Sequence, residues 1–224
     1  MSITLEEKKF ECFKIEIKEK IAHIILNRPE KMNSMPYSFW SDLPEIINEI
    51  DSDALARVIV ISSTGKHFSA GMDLSVFGSA DSSEKKAKSK TDTGRQKASF
   101  YKNLLKLQET FNCIDNSRIP VLMAIHGGCI GGAVDFASAC DIRYCTEDAF
   151  FCIQEINIGM TADVGTFPRL PHLLPMGLVK ELAFTGRRLF SKEAKEIGLV
   201  NNVFSSQEEM LREVMLIAKE ISKK

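Results

Sequence analysis

The sequence predicts an α/β protein, and three observations carry that prediction. Short apolar runs such as Val58-Ile-Val-Ile-Ser62 and Val121-Leu-Met-Ala-Ile125 have the length and burial pattern of strands covered on both faces. Longer stretches show helical spacing: Phe100, Leu104, Leu107, Phe111 and Ile114 stand 4, 3, 4 and 3 residues apart. Glycines and prolines punctuate the change from one period to the other. Strands alternating with helices imply a sheet covered by helices.

The elements follow in order. Phe13-Lys-Ile-Glu-Ile17 alternates strictly, and Ile21-Ala-His-Ile-Ile-Leu26 follows a short charged link, which reads as a β-hairpin. Pro36 opens a helix whose apolar face is Phe39, Trp40, Leu43, Ile46, Ile47 and Ile50; Pro44 inside it predicts a kink or a split. The strand Val58–Ser62 ends in the turn Thr64-Gly65. Ser79–Lys97 is polar and poor in apolar residues, the composition of a solvated, mobile loop or frayed helix. After the strand at 121–125 come a glycine turn, a short helix and strands at Ile142–Cys145 and Phe150–Ile153. Ser191 is expected to cap a helix ended by Gly198, and Leu199–Phe204 to form a short strand. Ser205-x-x-Glu208 reads as a capping box, before a last helix striped by Met210, Leu211, Val214, Ala218 and Ile221.

Composition excludes several classes. With 224 residues, 44% hydrophobic and 26% charged, the chain can bury a substantial core. A net charge of −1 offers no global attraction to nucleic acid or anionic membrane. The only basic run, Lys85 to Lys90, is short and lacks interleaved aromatics. No apolar run approaches the ~18 residues needed to span a membrane. Six cysteines without a Cys-x-x-Cys pair read as reduced thiols of an intracellular protein, and four scattered histidines give no metal-ligand spacing. The start, Met1-Ser-Ile-Thr-Leu-Glu-Glu, has neither a secretory core nor an Arg-rich presequence pattern.

Chemistry concentrates between Ala124 and Thr166. Gly131-Gly132 stops a strand where a helix can begin, so the backbone can approach a ligand closely and present free N–H groups to negative charge. Asp135, Glu155 and Asp163 then follow at intervals of 20 and 8 residues in an otherwise apolar stretch. Each acid alone has an ordinary explanation. Asp135 suits the first turn of a helix, Glu155 could pair with Arg143 or Arg169, and Asp163 suits an Asx-turn. His126 and Cys129 flank the turn but carry no activating partner, and Trp40, Phe39, Asp141 and Arg143 read as structural.

His126-Gly-Gly-Cys-Ile-Gly-Gly-Ala-Val-Asp135 with Ala139-Cys-Asp-Ile-Arg-Tyr144, Phe68-Ser-Ala-Gly-Met-Asp-Leu74 and Asn27-Arg-Pro…Asn33 together resemble the crotonase superfamily of enoyl-CoA hydratases and isomerases. Within it, the acid pattern Asp135, Glu155, Asp163 is most similar to the dienoyl-CoA isomerases. The resemblance spans about residues 13–223 and implies a ClpP-like spiral of repeated ββα units. It implies a core over residues 1–204, with 205–224 as the start of a C-terminal helical region that looks incomplete. It implies that the backbone N–H groups of Met72 and Gly132 receive a thioester oxyanion. Asp135, Glu155 and Asp163 would be catalytic, with Glu155 and Asp163 as the acid/base pair and Asp135 orienting Glu155. Arg28, Lys31, Ser69, Ala70, Gly71, Met72, Asp73 and Gly131 would line the path of the CoA ester, and lysines of the 79–97 segment could approach its phosphates.

The implied reaction moves the double bonds of a 3,5-dienoyl-CoA to 2,4 in fatty-acid β-oxidation. It needs no metal and no cofactor beyond the CoA of the substrate. A trimer or pair of trimers is implied. So is a cytoplasmic location in a bacterium, or a mitochondrial or peroxisomal one in a eukaryote. An enoyl-CoA hydratase is the alternative enzyme, for which two carboxylates suffice. A catalytically weak acyl-CoA-binding scaffold is the alternative of another class, which the complete acid trio opposes.

Overall fold

The hairpin expected at the start forms as β1 (Phe13–Lys18) and β2 (Ile21–Leu26), paired antiparallel from Phe13↔Leu26 to Lys18↔Ile21. The computed structural model describes residues 4–78 and 93–224. Glu19 and Lys20 make the turn with φ of 51° and 64°. Next come α1 (Tyr37–Ser52), β3 (Val58–Ser63), the short α2 (Ser75–Gly78) and α3 (Thr93–Asp115). The polar stretch read from 79 to 97 falls outside the described residues over 79–92, and Thr93–Lys97 form the exposed first turns of α3. Then follow β4 (Val121–Ile125), β5 (Gly128–Ile130), α4 (Gly132–Ala139), β6 (Ile142–Thr146) and β7 (Phe150–Cys152). A 3-10 turn at Glu155–Ile158 leads to α5 (Thr166–Leu173), α6 (Met176–Thr185), β8 (Leu189–Phe190), α7 (Ser191–Glu196), β9 (Asn202–Phe204) and α8 (Gln207–Ile221).

The strands form two sheets, in the orders β1-β2-β3-β4-β6-β9 and β5-β7-β8. From β2 onward the large sheet is parallel. β4 and β6 each lead, after a turn, into a strand of the small sheet, and α4 follows β5: the chain winds as a spiral of strand–strand–helix units. The parallel strands are buried on both faces, as their unbroken apolar runs require. Ile59, Ile61, Met123 and Ile125 face the main core, whereas Val58, Val60, Leu122 and Ala124 face α8 through Met210, Val214 and Ala218. One residue of register therefore decides which layer each side chain joins.

Several local expectations change. Pro44 does not split α1, which runs unbroken with Phe39, Trp40, Leu43, Ile46, Ile47 and Ile50 buried. Packing of that whole face outweighs the hydrogen bond lost at the proline. Ser191 is the first residue of α7 rather than its cap, and its hydroxyl donates to the Glu147 carbonyl at 2.7 Å. The cap of α8 shifts by one residue: Ser206 accepts the Glu209 N–H at 3.2 Å, and Glu209 answers by accepting from the Ser205 backbone at 3.1 Å. The strand expected from Leu199 forms only over Asn202–Phe204, because Leu199 and Val200 turn into the core. On α3 the apolar stripe is buried only at its end: Phe111 and Ile114 are covered, but Phe100 is 68% exposed.

Candidate active site

The parallel strands end at one pole of the sheet, and there two glycine loops meet. β4 leads through His126 into β5, and Gly131 (φ +56°, ψ −125°) starts α4. Only glycine adopts that conformation without strain. The second loop, Phe68–Asp73, is held beside the first by an isolated bridge pairing Ser69 with Cys129, and a second bridge ties its Met72 to Met35 before α1. Gly71 (φ +82°) is closest: a Cβ there would lie 2.5 Å from the Ile130 carbonyl oxygen and 3.2 Å from the Gly132 nitrogen. A Cβ on Gly132 would lie 3.9 Å from the Met72 nitrogen. Neither the Met72 nor the Gly132 N–H has an acceptor among the described residues, and the two lie together at the start of α4. Trp40 and Met35 pack beneath them, with Trp40 Cη2 and Met35 Sδ at 3.7 and 3.5 Å from that same Cβ position. Phe39, Phe111 and Phe136 continue the floor, the last two stacked at 5.3 Å.

The second loop is built to stay where it is. Asn33 is buried and ties its own loop to the turn after β3: its amide donates to the carbonyls of Thr64 (2.7 Å) and His67 (3.0 Å) and accepts the Arg28 N–H (2.8 Å). Ser69 is wholly buried, donates to the Asn33 carbonyl and accepts the Gly71 N–H. Asp73 accepts from the Ser75 N–H, the Ser34 hydroxyl and Arg28, and these bonds hold its carboxyl well below the usual range. Arg28 is thus committed to Asp73 and the Ser34 carbonyl, while Lys31 is exposed on the rim.

A cavity of about 200 Å³ opens over the two N–H groups, lined by Ala70, Met72, Leu74, Gly132, Gln154, Glu155, Ile158, Met160, Thr161, Asp163 and Val164. Glu155 and Asp163 line it, and Asp135 is buried beneath its Gly132 wall. Glu155 opens the 3-10 turn, and its Oε1 lies 3.2 Å from where a Gly131 Cβ would sit, directly against the glycine turn. Asp135 lies wholly buried, one helical turn below Gly132; its Oδ1 accepts the Thr166 N–H at 2.6 Å, capping α5. Asp163 stands more openly at the mouth, and its backbone carbonyl accepts from Gln108 at 2.7 Å.

Neither Asp135 Oδ2 nor Glu155 Oε2 has a hydrogen-bond partner among the described residues, though both are buried. Unpaired buried carboxylate oxygens are costly in a native structure and demand a reason. The consequence is electrostatic. Burial pushes Glu155 up to about 7, helped by the charges of Asp135 and Asp163. Burial pushes Asp135 up to about 6 against the pull of Thr166 and Arg169. Asp163 is also raised, by its partial burial. The arrangement offers a carboxylate that exchanges a proton near neutral pH, a second at the mouth, and two N–H donors for developing negative charge.

The ordinary explanations for these acids are not the ones found. Arg143 donates to the carbonyls of Leu199, Ala137 and Cys140, and Arg169 pairs with Asp115 at 2.6 Å; neither pairs with Glu155. His126 bonds the Gly65 carbonyl, Asp141 accepts the Val121 N–H, and Cys129 is buried with its thiol pushed far up. Two residues near the site escaped the sequence reading: Thr166, which holds Asp135, and Arg169 as a neighbour of Asp135 rather than of Glu155. Gly165-Thr166, a glycine before a helix start, was the available signal.

A site over two glycine loops at the strand ends, lined by Glu155 and Asp163 with Asp135 buried beside it, carries the groups of an acid–base enzyme. The enoyl-CoA hydratase/isomerase family pattern matches residues 16–224, and the chain belongs to that family. It is 43% identical over 218 residues to the human mitochondrial Δ3,5-Δ2,4-dienoyl-CoA isomerase, covering 96% of this chain and 65% of that protein. It is 39% identical to the peroxisomal enzyme of the same name from Arabidopsis thaliana, covering 99% of this chain and 79% of that protein. A crystal structure of an enoyl-CoA hydratase/isomerase from Marinobacter aquaeolei superposes with a TM-score of 0.82 at 27% identity, over 94% of this chain and 76% of that one. The chain thus spans somewhat less than two thirds of the human relative. No helix among the described residues is long and apolar enough to cross a membrane.

Proposed function

We propose that this protein isomerises 3,5-dienoyl-CoA thioesters to 2,4-dienoyl-CoA. The observation that carries the reading is Asp163: a third carboxylate lining the same cavity as Glu155, where a water-adding enzyme of this family needs only two. The thioester oxygen is received by the N–H groups of Met72 and Gly132. A carboxylate takes a proton from C2, the electron pair moves through C2–C3 and C4–C5 as the double bonds shift, and C6 receives a proton. Charge passes onto the thioester oxygen at the dienolate stage, where two preorganised donors act most strongly.

Glu155 suits C2, because it lies against Gly131, next to the donor that fixes C1. Asp163 suits C6, farther along the chain. Beyond Met160 and Thr161, which line both spaces, an apolar cavity of about 430 Å³ bounded by Ile153, Phe167, Val179 and Phe184 offers room for the rest of the acyl chain. Human and plant proteins named as this isomerase, at 43% and 39% identity, support the same reading. Assembly into trimers or pairs of trimers is part of it.

The test is turnover of 3,5-dienoyl-CoA, followed by the absorbance of the 2,4-dienoyl product, in the wild type and Asp163→Asn. Loss of general acid–base help is expected to lower the rate by about 10²–10⁴ with product-analogue affinity almost unchanged. An Asp163→Asn enzyme as fast as the wild type, with hydration of 2-enoyl-CoA as the main activity, moves the reading to a hydratase.

A further inference from the structure

Asp135 and Arg169 present an unusual pair of loose ends. Asp135 Oδ2 and Arg169 Nη1 are both buried and both without a hydrogen-bond partner among the described residues. They flank the same two residues. Asp135 accepts the Thr166 N–H, and Arg169 folds back over Gly165 so closely that a Cβ there would overlap its Nη1. Gly165, at φ +142°, is what makes room for the guanidinium. The other face of that guanidinium is tied down: Nε donates to Asp115 at 2.7 Å and Nη2 to Asn112 Oδ1 at 2.7 Å, both on α3. The charged end of Arg169 is thus fixed behind the deepest acid of the site without forming a direct ion pair with it.

We infer that Arg169 is a positioning residue for the proposed reaction: it keeps the negative charge of the acid cluster on Asp135 and so leaves the exchangeable proton to Glu155. The inference rests on the reading of Glu155 as the base. Three acids close enough to raise one another cannot all ionise freely, so something must decide which one gives way. Asp135 is the most buried and would be first to take a proton if burial alone decided. The titratable and charged groups near it are Glu155 and Asp163 on the cavity side, Cys129 from β5, and Arg169 from α5, with Asp115 holding the guanidinium. Arg169 is the only cation among them. Its field favours the Asp135 carboxylate, and an ionised Asp135 in turn makes Glu155 a stronger base.

The test reads charge order and turnover separately. Carboxyl-carbon NMR titration of the wild-type protein, assigned with Asp135→Asn and Glu155→Gln, is expected to show Asp135 losing its proton at lower pH than Glu155. The reverse order in the wild type overturns the inference, whatever the variants do. In Arg169→Gln the order is expected to invert, and the acid limb of kcat/KM to move at least half a pH unit lower with a reduced plateau. Arg169→Lys, which keeps the charge, is expected to keep the limb. In an Asp135→Asn background, Arg169→Gln is expected to leave the limb in place, since the residue acts through Asp135. An Arg169→Gln protein that melts earlier but keeps both the titration order and the limb makes Arg169 merely structural and overturns the inference. Because the titration needs no substrate, a wild type inert toward dienoyl-CoA that still shows this order and its inversion would defeat the isomerase reading and uphold the role of Arg169.

Discussion

Asp73 with its partners, and Asp135 with Glu155, form two acidic clusters near the same pole of the sheet, and the fold treats them in opposite ways. Asp73 has partners on both oxygens, from Ser75, Ser34 and Arg28, and stays ionised far below neutral pH. Asp135 and Glu155 are more deeply placed, yet each keeps one buried oxygen unpaired, and both are raised, to about 6 and about 7. Satisfied polar groups hold a loop in place; unsatisfied ones keep a proton available. The first cluster fixes where the Met72 N–H sits, and the second supplies what moves beside it. Stability sacrificed at the second is the usual mark of a working site.

The sharpest break of that comparison is Glu155→Gln. It should lower dienoyl isomerisation by about 10²–10⁴, in line with general acid–base catalysis, whereas Asp73→Asn should reach the rate only through loop placement. Steady-state turnover of both variants beside the wild type decides it; equal losses would erase the distinction between the clusters.

Next in size is Gly71→Ala. The added methyl meets the Ile130 carbonyl at 2.5 Å at a φ of +82°, so the two loops must part. Loss of one aligned oxyanion donor is expected to cost about 10²–10³ in kcat. A structure of the variant should show the Met72 and Gly132 nitrogens farther apart; unchanged turnover with parted loops would remove the donors from the mechanism.

The raised carboxyls also set a pH dependence of stability. Folded Glu155 holds its proton up to about pH 7, against an ordinary value of 4.5, so the native state binds more protons than the unfolded chain between those values. Its stabilisation is therefore complete below about pH 4.5 and is lost as pH rises through about 7. Glu155→Gln is expected to be more stable than the wild type at pH 8, by on the order of 2 kcal/mol, and little different at pH 4.5. Denaturant melts at the two pH values check the sign. By the same protonation, wild-type kcat/KM should rise with pH through about 7, as Glu155 becomes a free base.

The smallest effect belongs to the satisfied cluster. Asp73→Asn removes charge-assisted bonds from Ser75, Ser34 and Arg28 and should destabilise the fold by about 1–2 kcal/mol, read as a lower denaturation midpoint.

The sequence alone determined the pieces whose signal is local. Strands such as Val58–Ser62 and Val121–Ile125 announced themselves by apolar runs, and the glycines before α4 by their spacing, because period and turn chemistry are properties of neighbours in the chain. The three acids stood out because carboxylates are rare in apolar stretches. Other features were decided only by tertiary structure. Pro44 survives inside α1 because a full face of that helix is buried, which no window around the proline could reveal. Arg28 and Asp73 turned out to be partners across 45 residues, and Arg169 to belong with Asp115 and Asp135 rather than Glu155. Charge states followed the same division: the sequence supplied Asp73, Asp135 and Glu155 as equal carboxylates. Burial, helix ends and the reach of two arginines made one permanently ionised and left the others near neutrality, because solvation and Coulomb energy depend on distances in space and not along the chain.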